Sequence, residues 1–170
     1  MKTDKRRRRE NKTDYANRLN LLKKGVPRII FRKTNKYLIS QYIESKEAKD
    51  KVIFGFNSKD LFGYGWPKEF WGSLKSIPAA YLLGYLMGKE ILNSNLEKPI
   101  ADFGMIRMIH KTKTYSFLKG LIDAGLEISC KEEAFPEEKK ISGANLKKKN
   151  FSGYFKEIKL KIDKNENRKN

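Results

Sequence analysis

The sequence predicts an α/β fold of the mixed-sheet type, in which helices pack against a single β-sheet. Three observations favour it: alternating apolar and polar residues in the first third of the chain, two apolar helical segments further along, and a short apolar stretch between those segments. A parallel strand requires a crossover connection. A meander followed by helix, strand and helix therefore gives a mixed sheet with helices against it.

The first three strands are predicted to form an antiparallel meander. Residues 28–33 and 36–43 are β-prone runs joined by Thr34 and Asn35, which is a hairpin signal. Residues 52–56 alternate between apolar and other side chains and predict the third strand. We expect one or two further strands to extend this meander.

The first strand has two chemically different faces. Because side chains alternate along a strand, Arg28 and Arg32 share one face, and Ile29 and Phe31 share the other. We expect Ile29 and Phe31 to meet the core and the two arginines to form a cationic outer surface.

Helical spacing of apolar residues predicts the remaining elements. They are a helix over residues 14–24 capped by Thr13, a glycine- and aromatic-rich structured loop over 62–71, a helix over 78–93, a strand over 100–103, a helix over 115–124 and a last strand over 126–128. Gly84 and Gly88 would allow the second helix to approach a neighbour closely.

Positive charge is concentrated at the two ends of the chain. Residues 1–36 carry 14 Lys or Arg against 3 Asp or Glu, residues 137–170 carry 11 against 5, and residues 37–136 carry 13 against 12. A near-neutral middle can fold without severe self-repulsion, whereas cationic ends require a polyanion as partner. The expected organisation is a basic extended N-terminal arm (1–12), a globular domain (13–136) and a basic C-terminal extension (137–170), largely disordered when free. Within the extension, the apolar residues that can dock locally are Phe151, Tyr154, Phe155, Ile158 and Leu160.

Residues typical of catalytic sites are sparse. His110 and Cys130 are the single histidine and cysteine, so neither a zinc site nor a Cys–His pair is expected. The mixed sheet also suits ribonuclease H-like nucleases, but Asp102 is the only carboxylate that the strands offer for a two-metal site. Asp102, Phe103 and Gly104 match a kinase triplet without the accompanying kinase loops, which indicates a strand end and turn. We expect no enzyme activity, no cofactor, no metal and no small-molecule substrate.

The apolar segments are too short for a bilayer. The longest runs from Ile77 to Gly88 and has 12 residues, whereas a membrane span needs about 18. A single cysteine permits no internal disulfide, as is typical of a reducing compartment. We expect a cytoplasmic protein without a membrane partner.

Several ordered blocks of the sequence are similar to one family. They are RRRRENKTDY at residues 6–15, RLNLLK at 18–23, PR at 27–28, RKTNK at 32–36, AAYL at 79–82 with Gly84 and Gly88, DFG at 102–104, and FLKG at 117–120 with DAGL at 123–126. In order and spacing these blocks resemble the large-subunit ribosomal protein L-eighteen family in its archaeal and eukaryotic form, and the archaeal type is the better match. The resemblance covers about residues 5–146.

The resemblance implies a structural ribosomal protein of the translational machinery. It implies binding of 5S ribosomal RNA and its attachment in the central protuberance of the large subunit, with large-subunit rRNA and neighbouring ribosomal proteins as further partners. One alternative is a general basic RNA chaperone or DNA-binding module without a fixed target. A degenerate nuclease is a third possibility, which magnesium-dependent cleavage would test.

RNA recognition by such a protein is expected to rest on phosphate contact and shape, because the major groove of A-form RNA is too narrow to read. The candidate RNA-binding residues are the arm residues Lys5, Arg6, Arg7, Arg8, Arg9 and Lys12, the first-helix residues Tyr15, Arg18, Lys23 and Lys24, the hairpin residues Arg28, Arg32, Lys33, Asn35 and Lys36, and the loop residues Lys111 and Lys113. The lysines and asparagine of the hairpin turn would approach RNA loops.

Overall fold

The computed structural model describes residues 3–47, 49–145 and 151–164. In these ranges the strands are β1 (Arg28–Lys33), β2 (Leu38–Lys46), β3 (Lys49–Asn57) and β4 (Ile100–Asp102). The α-helices are α1 (Arg6–Arg9), α2 (Tyr15–Lys23), α3 (Ile77–Asn93), α4 (Lys113–Asp123), α5 (Glu138–Ile141) and α6 (Phe151–Asp163). Short 3₁₀ helices cover Ser58–Phe62, Lys68–Ser73 and Glu132–Ala134.

The four strands form one mixed sheet in the order β3-β2-β1-β4. Strands β1, β2 and β3 pair antiparallel as a meander, and β4 pairs parallel with β1. The predicted mixed sheet is therefore confirmed, and β4 reaches it through the helical crossover that a parallel strand requires.

The predicted strand over residues 126–128 is wrong. Helix α4 ends there in a glycine turn instead: Gly125 has a φ of 114°, its N–H donates to Ile122, and the Leu126 N–H donates to Leu121. These two bonds satisfy carbonyls at the helix end, as in a Schellman motif. Leu126 is buried as the apolar residue that closes the turn.

One face of the sheet meets the core. Ile29 and Phe31 are fully buried, and the Phe31 ring stacks on Phe117 of α4 at 4.5 Å between centroids. The prediction that these two residues face the core is confirmed. Alternation along β1 turns Arg28 and Arg32 to the opposite face, where the N-terminal segment lies.

Helices α3 and α4 pack in direct backbone contact. A Cβ atom at Gly84 would lie 2.2 Å from the Phe117 carbonyl oxygen, and one at Gly120 would lie 2.2 Å from the Tyr81 carbonyl oxygen. No side chain fits at either position, so glycine sets the distance between the helices. The expected close approach at Gly84 is thus confirmed, and the neighbour is α4.

Residues 151–163 of the extension form helix α6, so the segment is ordered where disorder was predicted. The expected docking is confirmed for Phe151, Phe155 and Ile158, whereas Tyr154 and Leu160 are exposed. Phe151, Phe155, Ile158 and Ile162 recur at helical spacing and are buried. Phe155 packs on Tyr81 of α3 at 5.4 Å between ring centroids. The lysine-rich composition hid an amphipathic helix whose apolar face completes the core. Residues 146–150 and 165–170 of that extension lie outside the described residues.

The N-terminal segment also differs from the prediction. Arg6–Arg9 form one turn of helix, and they are not extended as expected. Helix α2 is capped by Asp14, whose carboxylate accepts the N–H groups of Ala16 at 3.1 Å and Asn17 at 3.3 Å, so the cap lies one residue after the predicted Thr13. The change of cap is local, because an aspartate is as good a helix cap as a threonine.

Candidate nucleic-acid interface

Arg28 is a buried structural residue. Its side chain is 2% exposed, and its guanidinium donates to Asp102 at 2.8 Å, to Asp50 at 2.8 Å and to Ser45 at 2.9 Å. The prediction that Arg28 lies on a cationic outer surface is therefore wrong. A guanidinium held by two carboxylates inside the protein has neither the access nor the free charge to bind phosphate.

Asp50 forms ion pairs with both Arg28 and Arg18. Partial burial raises the pKa of this carboxyl, but the Ser45 hydroxyl, Arg28 and Arg18 outweigh that effect, and the pKa is lowered from its usual value. Arg18 of α2 contributes through a 2.9 Å contact between its guanidinium and the second carboxylate oxygen. Asp50 therefore connects the N-terminal helix to the sheet, and Arg18 is partly neutralised as an RNA contact.

A cleft of about 510 Å³ lies between the N-terminal segment and the outer face of the sheet. It brings together many of the predicted RNA-binding residues. Arg7, Lys12, Arg18, Arg28, Arg32 and Lys33 line it, together with Asp14, Asp50 and Asp102 and with residues 103–106 after β4. Asp50 and Asp102 balance Arg18 and Arg28, and Lys12 pairs with Glu10, so the unneutralised charge of the cleft comes from Arg7, Arg32 and Lys33.

The basic residues of α1 are exposed and lightly tied down. Arg7 donates to the Thr13 hydroxyl at 2.9 Å, and Arg8 lies 3.6 Å from Asp14 and 3.5 Å from the Met105 sulfur. These contacts hold the helical turn beside the loop after β4. They involve exposed groups, which contribute little to stability.

Further predicted residues of the N-terminal segment pair among themselves. The Glu10 carboxylate forms ion pairs with Arg6 at 3.5 Å and with Lys12 at 2.8 Å. The Lys5 ammonium lies 4.7 Å from the Tyr15 ring centroid. Tyr15 is therefore covered on one side by Lys5. Its ring is half-buried, and its role in RNA binding stays a prediction.

A further group of positive charges lies beside the β1–β2 turn. Burial lowers the pKa of Lys113 at the start of α4, and the charges of Lys75 and Lys33 lower it further. Lys33 at the end of β1 and Lys75, which contacts the turn at Asn35, therefore both act on Lys113, and none of the three has a carboxylate partner in the parts of the chain that are described. We call Lys33, Lys75 and Lys113 the lysine cluster.

The turn itself is rigid and adds donors to the lysine cluster. Thr34 and Tyr37 close it with a backbone bond of 2.9 Å and a bond from the Tyr37 N–H to the Thr34 hydroxyl of 3.0 Å. Asn35 and Lys36 are exposed at its tip, and the Lys75 ammonium donates to the Asn35 carbonyl at 3.4 Å. An anion that approaches the tip therefore meets a preorganised set of donors.

Lys75 belongs to this site but is absent from the predicted residues. It lies in an irregular stretch before α3, where a single lysine carries no periodic signal. Its proximity to Lys33 and Lys113 depends on how three separate elements meet. The other predicted lysines, Lys23, Lys24 and Lys111, are exposed but line neither the cleft nor the lysine cluster.

The residues singled out against enzyme chemistry have structural roles. Asp102 ends β4 and accepts the Gly104 N–H at 2.9 Å, so the predicted strand end and turn are confirmed. His110 packs edge-on against Tyr115. Within residues 3–47, 49–145 and 151–164, no group of His, Cys, Asp or Glu side chains is arranged to hold a metal ion. None of the helices in those ranges is long and apolar enough to cross a bilayer.

Comparison with known proteins identifies the family of this chain. A family described as "Ribosomal large subunit proteins 60S L5, and 50S L18" matches residues 1–99, which is more than half of the chain. This chain belongs to that family. The large ribosomal subunit protein uL18 of Korarchaeum cryptofilum (strain OPF8) is 42% identical over 141 residues, covering 83% of this chain and 70% of the relative. The uL18 protein of Methanoculleus marisnigri is 38% identical over 141 residues, covering 83% of this chain and 78% of the relative.

Membership of the uL18 family confirms the resemblance drawn from the sequence blocks, including its archaeal type. The relatives are structural ribosomal proteins, so the prediction that the chain is not an enzyme is also confirmed. Ribosomal RNA and other ribosomal proteins are its partners, and the large ribosomal subunit is where it acts.

Proposed function

We propose that this uL18-family chain binds 5S rRNA and helps to attach it in the central protuberance of the large subunit. The observation that carries the proposal is the lysine cluster at the β1–β2 turn. Burial lowers the pKa of Lys113, the charges of Lys75 and Lys33 lower it further, and a bound phosphate would favour the charged ammonium.

The surrounding surface supports contact with a folded RNA. Arg32 and Lys33 line the cleft on the sheet, and Arg7 of α1 lines it on the N-terminal segment. A structured RNA presents phosphates on more than one strand, so a protein with two cationic borders can grip it by shape. The two borders are Arg32 and Lys33 on the sheet and Arg7 on the N-terminal segment.

A general RNA chaperone or DNA-binding module is the alternative, and it needs only diffuse positive charge. The rigid turn and the convergence of three lysines favour a fixed target, because they hold charge at one place. Binding of 5S rRNA and of a duplex DNA of equal length should therefore differ. We expect clear preference for 5S rRNA at physiological salt in a competition assay, and equal affinity would support the chaperone.

The double variant Lys33→Ala/Lys113→Ala tests the site itself. The slope of log affinity against log salt is negative, and each lost phosphate contact reduces its magnitude by about 0.7 to 0.9. For the double variant we therefore expect a magnitude smaller by about 1.5. Lys98→Ala is the matched control, because it removes a charge that Glu127 already pairs at 2.6 Å. An unchanged slope in the double variant would contradict the assignment of the lysine cluster as the RNA contact.

A further inference from the structure

Trp71 is an exposed tryptophan on a protein whose other tryptophan is buried. Its exposed fraction is 56%, whereas Trp66 is 2% exposed and donates its indole N–H to the Phe70 carbonyl at 3.1 Å. The Trp71 ring meets Phe62 at 5.1 Å between centroids, tilted by 34°. An exposed indole ring packed against a second ring offers a flat aromatic face, so this pair is a candidate contact surface.

A lysine lies in the same 3₁₀ helix as Phe62. Lys59 precedes Phe62 by three residues in the 3₁₀ helix Ser58–Phe62, where residues at that spacing lie above one another. The Lys59 ammonium also lies 4.6 Å from the Tyr37 ring centroid. The neighbouring Asp60 is occupied, because its carboxylate accepts the Asn57 N–H at 2.7 Å. We call Lys59, Phe62 and Trp71 the aromatic platform.

The aromatic platform is continuous with the β1–β2 turn. The Leu38 N–H donates to the Ser58 hydroxyl at 3.1 Å, which fixes the start of the 3₁₀ helix beside the turn. Lys75 follows the helix that carries Trp71 and donates to the Asn35 carbonyl. Both helices of the platform are therefore anchored to the segment that presents the lysine cluster.

We infer that the aromatic platform stacks an unpaired base of the bound RNA, while Lys59 meets the phosphate of the same nucleotide. The inference rests on the proposed function and specifies the RNA feature recognised: a single-stranded loop or bulge beside the phosphates held by the lysine cluster. Aromatic side chains bordered by cations are the usual means of binding single-stranded nucleic acid, because every base has a face to stack.

Fluorescence distinguishes this role directly. Acrylamide, a neutral quencher, reaches Trp71 in the free protein but not the buried Trp66, so the difference between the wild type and Trp71→Phe isolates the Trp71 signal. On saturation with 5S rRNA at low salt, we expect Trp71 emission to fall and its acrylamide quenching constant to drop severalfold. A neutral quencher avoids the change in ion concentration that RNA causes near a basic surface.

Affinity measurements separate stacking from charge. Trp71→Ala should weaken 5S rRNA binding at least fivefold, which corresponds to about 1 kcal/mol per stacked base. The salt slope should stay unchanged, since no phosphate contact is removed. Trp71→Phe should recover most of the affinity. Leu160→Ala is the matched control, because Leu160 is a 60% exposed apolar residue on α6.

Three results would overturn the inference. Trp71→Ala could bind 5S rRNA with unchanged affinity while acrylamide still reaches Trp71 in the wild-type complex, and the proposed function would then stand without the stacked base. Protection of Trp71 only in the assembled subunit, and not by RNA alone, would assign the platform to a protein partner. If the wild type shows no preference for 5S rRNA, the proposed function fails and the inference fails with it.

Discussion

The two ends of strand β1 use the same kind of charge in opposite ways. At the first end Arg28 is buried and paired with Asp50 and Asp102, whereas at the other end Arg32 and Lys33 are exposed. Both arginines lie on the same face of the same strand. The difference comes from the neighbouring strands, because the two carboxylates lie beside Arg28. Residue type and strand face therefore do not define an interface until the position of the acidic partners is known.

The largest expected effect is a loss of stability when Arg28 is replaced. Arg28→Ala leaves Asp50 and Asp102 without their shared cation, and loss of one partner from a buried ion pair costs about 3 to 5 kcal/mol. Urea unfolding followed by circular dichroism measures the change in the free energy of unfolding. A loss below about 1 kcal/mol would show that Arg28 is not the brace that its contacts indicate.

Acid should weaken the same end of the strand. The pKa of Asp50 is lowered in the folded protein, so its contribution to stability is present above the unfolded value near 3.8 and is lost as the pH falls through the folded pKa. We expect the free energy of unfolding of the wild type to fall more steeply below pH 4 than that of Asp50→Asn. If the free energy of unfolding fell equally with pH in the two proteins, Asp50 would not contribute to the loss of stability in acid.

The smallest effect is expected at the exposed end. Arg32→Ala should change the free energy of unfolding by no more than about 0.5 kcal/mol, because an exposed charge without a close partner contributes little to stability. Its effect should appear in RNA binding, where the salt slope should fall by up to about 0.9. If Arg32→Ala destabilised the fold as much as Arg28→Ala, the conclusion that only Arg28 stabilises the fold would be wrong.

The mixed sheet could be predicted from sequence because its signals are local. The alternation of Ile29 and Phe31 with the two arginines, and the Thr34–Asn35 turn, are read within a few residues. The state of Arg28 could not be predicted in the same way. Its partners lie 22 and 74 residues along the chain, and only the completed pairing of β1 with β4 and β2 with β3 brings them to it.

The candidate site, too, could be predicted from the sequence only in part. Lys33 and Lys113 could be predicted as cations in turns and helix ends, but their convergence with Lys75 depends on packing between elements far apart in the chain. Helix α6 was missed for a different reason: lysine-rich composition outweighed the spacing of Phe151 and Phe155 in the prediction. An apolar period inside a charged segment deserves the same weight as one elsewhere.

Helix α6 has a consequence for the order in which the protein matures. Phe151 packs against Trp66 and Phe70, and Phe155 against Tyr81, so these aromatic residues stay uncovered until residues 151–163 have been synthesised. The sheet and α3 emerge first as a nascent chain with an open apolar flank, which is a state prone to aggregation. Final closure of the core therefore waits for the last turns of α6, long after the RNA-facing strands have been made.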